Sequence, residues 1–245
     1  MIKRTILAAC VTAFAFAALP ALATAEPVTN NPGDPYLEGV TEGKKFTVAG
    51  GEPKLTASFG TVKCKKISGS GEFFDRETGS LTLKFEECIG PLGVKCTTAG
   101  QSEGTIATTT LPFHLKTVAH LNAKGETEHK PGVLITPGPS NEHGPHFYTF
   151  SCPLLGAISL GGNGLIGTIT KPEEGVASNT MTLSFSSTEP GSNTQTHRFV
   201  TNDPTEYDRK TRINGGETKT SALDAETVIT FAEGMKPTLE TTPLE

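Results

Sequence analysis

Short runs in which apolar and polar residues alternate are the feature that most constrains the fold of this 245-residue chain. Across residues 81–86, two leucines and a phenylalanine occupy every second position, and threonine, lysine and glutamate stand between them. Residues 181–186 repeat the arrangement with serine and threonine at the polar positions. Successive side chains of a β-strand point to opposite faces, so a period of two indicates a strand with one buried face.

Composition extends this interpretation to the whole chain. Threonine occurs 37 times, glycine 27 times and tryptophan not at all. Threonine favours strands because its branched β-carbon restricts the side chain. Many short strands separated by turn residues predict an all-β fold, an antiparallel β-sandwich or barrel-like domain with disulfides. Only residues 221–227 also fit a short helix. Strands are expected at residues 46–48, 54–59, 61–67, 71–74, 81–86, 104–109, 113–120, 132–136, 147–152, 157–160, 165–170, 180–186, 194–200 and 222–231.

One order of motifs occurs twice. Val62-Lys63-Cys64 precedes a glycine-rich turn and the run at 81–85, and Phe150-Ser151-Cys152 precedes another such turn and the run at 181–185. Two related β units in one domain would explain this, and so would chance resemblance between alternating strands. Residues 130–145 are rich in proline and are expected to form a long surface loop. The predicted organisation is a signal peptide at 1–25, an extended leader at 26–45, a single all-β domain at 46–234 and a flexible tail at 235–245.

The first 25 residues have the three parts of a secretory signal. Lys3 and Arg4 precede an apolar stretch at 6–19, and Ala23-Thr24-Ala25 offers a small-residue cleavage site. A membrane anchor and a lipid on Cys10 are the alternatives. No other long apolar segment follows, so the mature chain is expected to have no membrane span. We therefore predict cleavage after Ala25 and a location that is secreted, extracellular or on the cell-envelope surface.

Charge limits the partners. The chain has 21 basic and 26 acidic residues, a net charge of −5. Loss of the two basic residues of the signal would make the net charge about −7. This balance provides no electrostatic reason to bind nucleic acid. The partner is unknown, and a cell-envelope or extracellular ligand is the class we expect.

Four cysteines would remain after signal cleavage, and in an exported chain they predict two disulfides. Cys64 shares a strand face with Val62, and Cys152 shares one with Phe150, so both are expected to point into the core. Cys88 and Cys96 flank a compact, turn-rich loop. The favoured pairing is therefore Cys64–Cys152 with Cys88–Cys96. The rival pairing is Cys64–Cys88 with Cys96–Cys152.

The best candidate for a metal site lies in the loop from Glu126 to His146. Two imidazoles and a carboxylate can hold zinc or copper. The spacing here matches no established ligand motif, and polar, exposed loops often carry such residues without a metal. The candidate ligands are His129, Glu142, His143 and His146.

Other catalytic motifs find less support. Residues 162–167 match G-x-G-x-x-G, but the following Thr-Ile-Thr continues as strand, whereas dinucleotide binding needs a helix N-terminus. A hairpin turn explains these glycines better. The G-x-S-x-G of an esterase is absent from the sequence. We predict no cofactor and no catalytic residue.

The motifs jointly resemble a family of uncharacterised secreted proteins from soil actinobacteria, over residues 59–231. The resemblance implies export and a β-rich fold, and it brings no established activity. The leading hypothesis is therefore an exported, non-enzymatic binding or structural protein; a secreted metal-dependent or hydrolytic enzyme using the loop from Glu126 to His146 is the alternative. The resembling segments are Val62-Lys63-Cys64, Leu83-Lys84-Phe85-Glu86-Glu87-Cys88, Lys95-Cys96-Thr97-Thr98-Ala99-Gly100-Gln101, Gly104-Thr105-Ile106, Thr110-Leu111-Pro112-Phe113-His114-Leu115, Phe150-Ser151-Cys152 and Gly164-Leu165-Ile166-Gly167-Thr168-Ile169-Thr170.

Overall fold

A computed structural model of the chain describes residues 33–121, 127–138, 146–201, 203 and 205–241. Within these residues the chain forms strands, one 3-10 turn at Pro91–Gly93, and no α-helix. No helix of the described part is therefore long and apolar enough to cross a membrane. The strands are β1 Pro35–Glu38, β2 Lys45–Ala57, β3 Gly60–Lys63, β4 Lys66–Phe73, β5 Thr78–Glu86, β6 Ile106–Ala107, β7 Leu111–Leu121, β8 Thr127–Ile135, β9 His146–Cys152, β10 Gly156–Gly162, β11 Leu165–Lys171, β12 Thr180–Phe185, β13 Arg209–Ile213, β14 Thr218–Phe231 and β15 Thr238–Thr241.

Eight antiparallel strands form a closed barrel. The order around it is β2, β4, β5, β7, β8, β11, β12 and β14, and β14 pairs back with β2. Closure leaves these strands without a free edge. The alternating runs place Leu81 and Phe85 of β5 and Met181 and Phe185 of β12 inside. The predicted all-β, antiparallel, barrel-like fold with two disulfides is confirmed.

A second, smaller ring of strands shares β2 and β14 with the barrel. Beyond the barrel, β2 pairs with β3 and β14 pairs with β13. From β13 the pairing continues through β10 to β9, then to the segments around Thr97, Lys95 and Ile89, and back to β3. We call this closed set the small ring. Both cysteine-containing copies of the repeated motif lie in the small ring, whereas both alternating runs lie in the barrel.

A local irregularity lets β2 serve both rings. Residues 45–51 of β2 pair with β4, and residues 54–57 pair with β3. Between them, Glu52 adopts a φ of 42°, Pro53 has no N–H to donate, and the register with β14 shifts between Asp224 and Glu226. Such a bulge bends a strand and increases its twist, so the strand can change its partner.

The favoured disulfide pairing is wrong. The structure joins Cys64 to Cys88 and Cys96 to Cys152, with Cα–Cα distances of 3.9 and 4.3 Å. Lys63 and Ile89 exchange both backbone hydrogen bonds, which makes the next residues, Cys64 and Cys88, a non-hydrogen-bonded pair. Thr97 and Ser151 also exchange both backbone hydrogen bonds, so Cys96 and Cys152 form a second such pair. Side chains approach most closely in such pairs.

The predicted pairing placed Cys64 and Cys152 on inward strand faces and Cys88 and Cys96 beside a loop. It failed because all four cysteines point inward. Cys88 and Cys96 are also neighbours, and the Cys96 N–H donates to the Cys88 carbonyl at 3.1 Å. Each of them nevertheless has a closer partner on its other side. Backbone parity identifies the buried face, but only the order of the strands identifies which cysteines face each other.

Three other expectations differ from the structure. Residues 35–38 of the expected leader form β1, which pairs with β15 from the expected tail, and Leu37 and Leu239 are buried between them. Residues 130–135 of the predicted loop at 130–145 belong to β8, and residues 139–145 lie outside the described residues. Pro131 lies just beyond the residues that pair with β11 and therefore leaves that ladder intact. Residues 194–200 make only isolated bridges to Ser187 and Val118.

Candidate functional site

The barrel interior is filled by side chains. Its apolar cavity has a volume of about 40 Å³, far below the roughly 150 Å³ that holds a benzene-sized ligand. Phe46, Phe73, Phe113 and Phe231 occupy part of the interior, with ring centroids 5.1–6.1 Å apart. The barrel therefore serves as a scaffold, and candidate sites are surface grooves.

One groove of about 620 Å³ lies on the small ring, on the outer face of β9, β10 and β13. Its volume falls within the range of ligand pockets. The opposite face of the same strands carries Tyr148, Phe150, Ile158 and Leu160, all buried in the core. Apart from Ala157, every lining residue is a glycine or carries a polar side chain; the lining residues are His146, Thr149, Ala157, Ser159, Gly161, Gly162, Lys210, Arg212, Asn214, Gly215 and Thr218.

Two cross-strand rows form the groove. In the first, Thr149, Ser159, Arg212 and Thr218 stand opposite one another in succession. The hydroxyls of Thr149 and Ser159 are 3.3 Å apart, and the Arg212 guanidinium donates to the Thr218 hydroxyl at 3.3 Å. These contacts hold the Arg212 side chain along the wall of the groove.

In the second row, His146, Gly161 and Lys210 stand opposite one another. Gly161 has no side chain, so the floor between the histidine and the lysine is open to a ligand. A register shift between Leu160 and Gly161 lies at this point. Strand bulges of this kind re-aim side chains near binding sites.

The rim of the groove is held by an Asn-Gly turn between β13 and β14. Asn214 and Gly215 have φ values of 47° and 73°, the conformation that a two-residue type I′ hairpin requires. The Asn214 side chain accepts from the Ala157 N–H at 2.8 Å and donates to the Leu155 carbonyl at 3.1 Å. The turn is therefore tied to the start of β10.

The groove is cationic. Lys210 and Arg212 point into it, and none of the described residues that line it is acidic. Among the described residues, no carboxylate lies within ion-pair distance of either cation. By contrast, several other described basic residues form ion pairs, namely Lys65, Lys66, Arg76, Lys95, Lys130, Arg198 and Lys219. A chain of net negative charge thus concentrates positive charge in one concave place.

A second groove, of about 530 Å³, lies on the outer wall of the barrel. One row across it consists of Thr230, Thr47, Ser70 and Thr82, which stand opposite one another on four adjacent strands. Its charged residues, Lys45 and Glu72, have opposite signs and face each other in register. The second groove therefore offers hydroxyls without net charge, so the small-ring groove is the stronger candidate for a charged ligand.

The structure does not bring the predicted metal ligands together among the residues it describes. His146 begins β9 and lines the groove, whereas His129 lies on β8, where its Nδ1 is 2.9 Å from the Thr201 hydroxyl. Glu126, Glu142 and His143 lie outside the described residues. No group of three potential metal ligands occurs in the described part of the chain. The segment 1–25 also lies outside the described residues.

Sequence reasoning missed Lys210 and Arg212, because it placed no strand between residues 200 and 222. One signal was present: the Asn-Gly that follows the Arg-Lys-Thr-Arg-Ile run is a strong indication of a hairpin. The two basic residues share one face of that strand. Their convergence with His146 depends on β9, which lies some 60 residues earlier.

Comparisons with known proteins add no assignment to this geometry. No family model, no curated protein and no solved structure matches the chain.

Proposed function

We propose that this protein is an exported, non-enzymatic binding protein of the cell envelope or extracellular space, and that the small-ring groove binds an acidic carbohydrate. One observation carries the proposal: Lys210 and Arg212 line a concave surface whose described lining contains no acidic residue. Export rests on the sequence of residues 1–25 and on the resemblance to secreted actinobacterial proteins. Two disulfides are compatible with an oxidising compartment.

The other lining groups support a sugar rather than a bare anion. Thr149, Ser159, Thr218 and Asn214 present hydroxyl and amide groups beside the two cations. Hydroxyls of a saccharide can exchange hydrogen bonds with these groups, while its carboxylates pair with lysine and arginine. Recognition would then depend on charge and hydrogen bonds, since none of the described lining residues is a phenylalanine, tyrosine or tryptophan.

The test compares polygalacturonate with its methyl-esterified form, which has the same backbone without the charge. We expect the wild-type protein to be retarded in affinity electrophoresis by the acidic polymer only. In the variant Lys210→Ser/Arg212→Ser the dissociation constant should rise roughly tenfold or more, since each charge-assisted hydrogen bond contributes about 1.5–3 kcal/mol.

The matched control removes two exposed lysines elsewhere, in Lys44→Ser/Lys84→Ser. It changes net charge equally and should alter the dissociation constant less than twofold. Equal weakening by both double variants would mean that binding follows net charge, and no retardation of the wild type by acidic polymers would overturn the proposal. Export is tested separately: the N-terminus of protein recovered from culture medium should be Glu26.

A further inference from the structure

Arg209 is buried on the inward face of β13, beneath the floor of the small-ring groove. Only 2% of its surface is exposed. Among the described residues, no carboxylate lies within ion-pair distance of its guanidinium. A buried cation is strongly unfavourable unless a charge or hydrogen-bond acceptors compensate it.

One protein group does interact with Arg209. Its Nη2 donates to the Tyr148 hydroxyl, and the guanidinium carbon lies 5.4 Å from the centre of the Tyr148 ring. Burial raises the pKa of Tyr148 above its ordinary value, so this phenol is neutral and does not cancel the charge. The buried Nε and Nη1 of Arg209 have no hydrogen-bond acceptor among the described residues.

Two buried hydroxyls share this face. Continuing the register of β13 with β14 places Ser221 directly opposite Arg209, and Thr211 follows two residues along on the same side. Neither the Thr211 hydroxyl nor the Ser221 hydroxyl has a hydrogen-bond partner among the described residues. Opposed residues in a sheet have β-carbons about 4.5–5.5 Å apart, so Arg209 and Ser221 are neighbours, and Thr211 lies diagonally across from Ser221 at about 7–8 Å.

We propose that Arg209, Thr211 and Ser221 form a buried binding site for a small inorganic anion of the chloride class. The N–H groups of Nε and Nη1 and the two hydroxyls are all able to donate, and a negative ion accepts hydrogen bonds from them. A monatomic anion suits these donors because it imposes no direction on its hydrogen bonds, whereas the donors come from two strands. The site is separate from the groove, since Lys210 and Arg212 lie on the opposite face of β13.

The test measures thermal unfolding in sodium chloride and in sodium gluconate at constant ionic strength. An anion that binds only the folded chain raises the midpoint as its concentration rises, by roughly 5–10 °C at one hundred times the dissociation constant. We expect this rise in the wild type and its loss in Arg209→Met. The control Lys210→Met, one residue away on the other face, should keep the wild-type response while weakening polygalacturonate binding.

Two milder variants keep the test decisive if Arg209→Met fails to fold. Thr211→Val and Ser221→Ala should each shift the chloride response to higher concentration. Anomalous scattering from a crystal soaked in sodium bromide should show a peak beside Arg209. Equal midpoints in chloride and gluconate, with no bromide peak, would overturn the proposal. Absorbance of a tyrosinate near neutral pH that disappears in Tyr148→Phe would also overturn it, because the phenolate would then be the counter-ion.

Discussion

The barrel and the small ring share strands β2 and β14, but the two rings are closed in different ways. Continuous hydrogen-bonded ladders close the barrel, and among the described residues Thr227 is the only polar one that lines its cavity. The small ring is completed by isolated bridges at Ile89, Lys95 and Thr97. Its walls contain both disulfides, and its interior contains Arg209 with two buried hydroxyls.

The difference indicates a division of labour. Burial of apolar surface stabilises the barrel, so its interior has no need of covalent links and little room for a ligand. The small ring has short pairings and a polar interior, so disulfides contribute what packing does not. Both proposed ligand sites, the small-ring groove and the anion site, lie on the small ring, one on each face of β13.

The largest expected effect is a loss of stability in the barrel. Phe73 is 1% exposed and contacts the rings of Phe46, Phe113 and Phe231. Phe73→Ala should lower the free energy of unfolding by about 3–5 kcal/mol, since it removes apolar contacts and leaves a cavity. Urea denaturation measures this loss. The neighbouring Phe74 is half exposed, and a Phe74→Ala loss as large as that of Phe73→Ala would contradict the comparison.

Removal of a disulfide should destabilise the small ring before it destabilises the barrel. Chain entropy predicts a loss of about 4 kcal/mol for Cys96→Ala/Cys152→Ala and about 3 kcal/mol for Cys64→Ala/Cys88→Ala, since their sequence separations are 56 and 24 residues. Amide hydrogen exchange should rise first in β9 and β10. A uniform rise that includes β5 and β12 would show that the two rings unfold as one unit.

Arg209→Met should act in the opposite direction to Phe73→Ala. Replacing an uncompensated buried charge by an apolar side chain is often neutral or stabilising, by about 1–4 kcal/mol. In chloride-free buffer the variant should therefore be at least as stable as the wild type in urea denaturation. A loss of several kcal/mol there would mean that the protein itself compensates the guanidinium.

The smallest expected effect concerns His114 on the outer wall of the barrel. Burial, followed by the nearby Lys116, lowers the pKa of His114, although Asp75 and Asp34 oppose this shift. The unfolded chain then binds a proton at a higher pH than the folded chain does. The free energy of unfolding therefore falls as pH drops through about 6.5 and rises as pH increases. His114→Gln should flatten this dependence in urea denaturation between pH 7.5 and 5.5. Identical slopes for variant and wild type would contradict the assignment.

Much of the fold followed from local pattern. The alternation at 81–86 and 181–186 predicted strands with one buried face, and both lie in the barrel wall with that face inward. By contrast, β13 was missed because its Arg-Lys-Thr-Arg-Ile sequence contains little apolar signal. β1 was missed because four residues are too few for a period to show. Pro131 argued against a strand. The structure accommodates it in β8 at a position that is paired with β7 but not with β11.

The candidate site was predictable only in part. His146 was singled out as a candidate metal ligand, and the structure places it opposite Gly161, in line with Lys210. No local pattern connects these residues, since three different strands supply them.

By itself the sequence determined the class of the fold, the buried positions of its strands and the number of disulfides, because these depend on the side-chain period, on β-propensity and on the cysteine count. Tertiary structure alone decided that the strands close into two rings, that Cys64 faces Cys88, and that Lys210 and Arg212 meet His146 while Arg209 lies beneath them. Each of these depends on which strands become neighbours. Strand order is set by the summed packing of the whole core, which no short stretch of sequence contains.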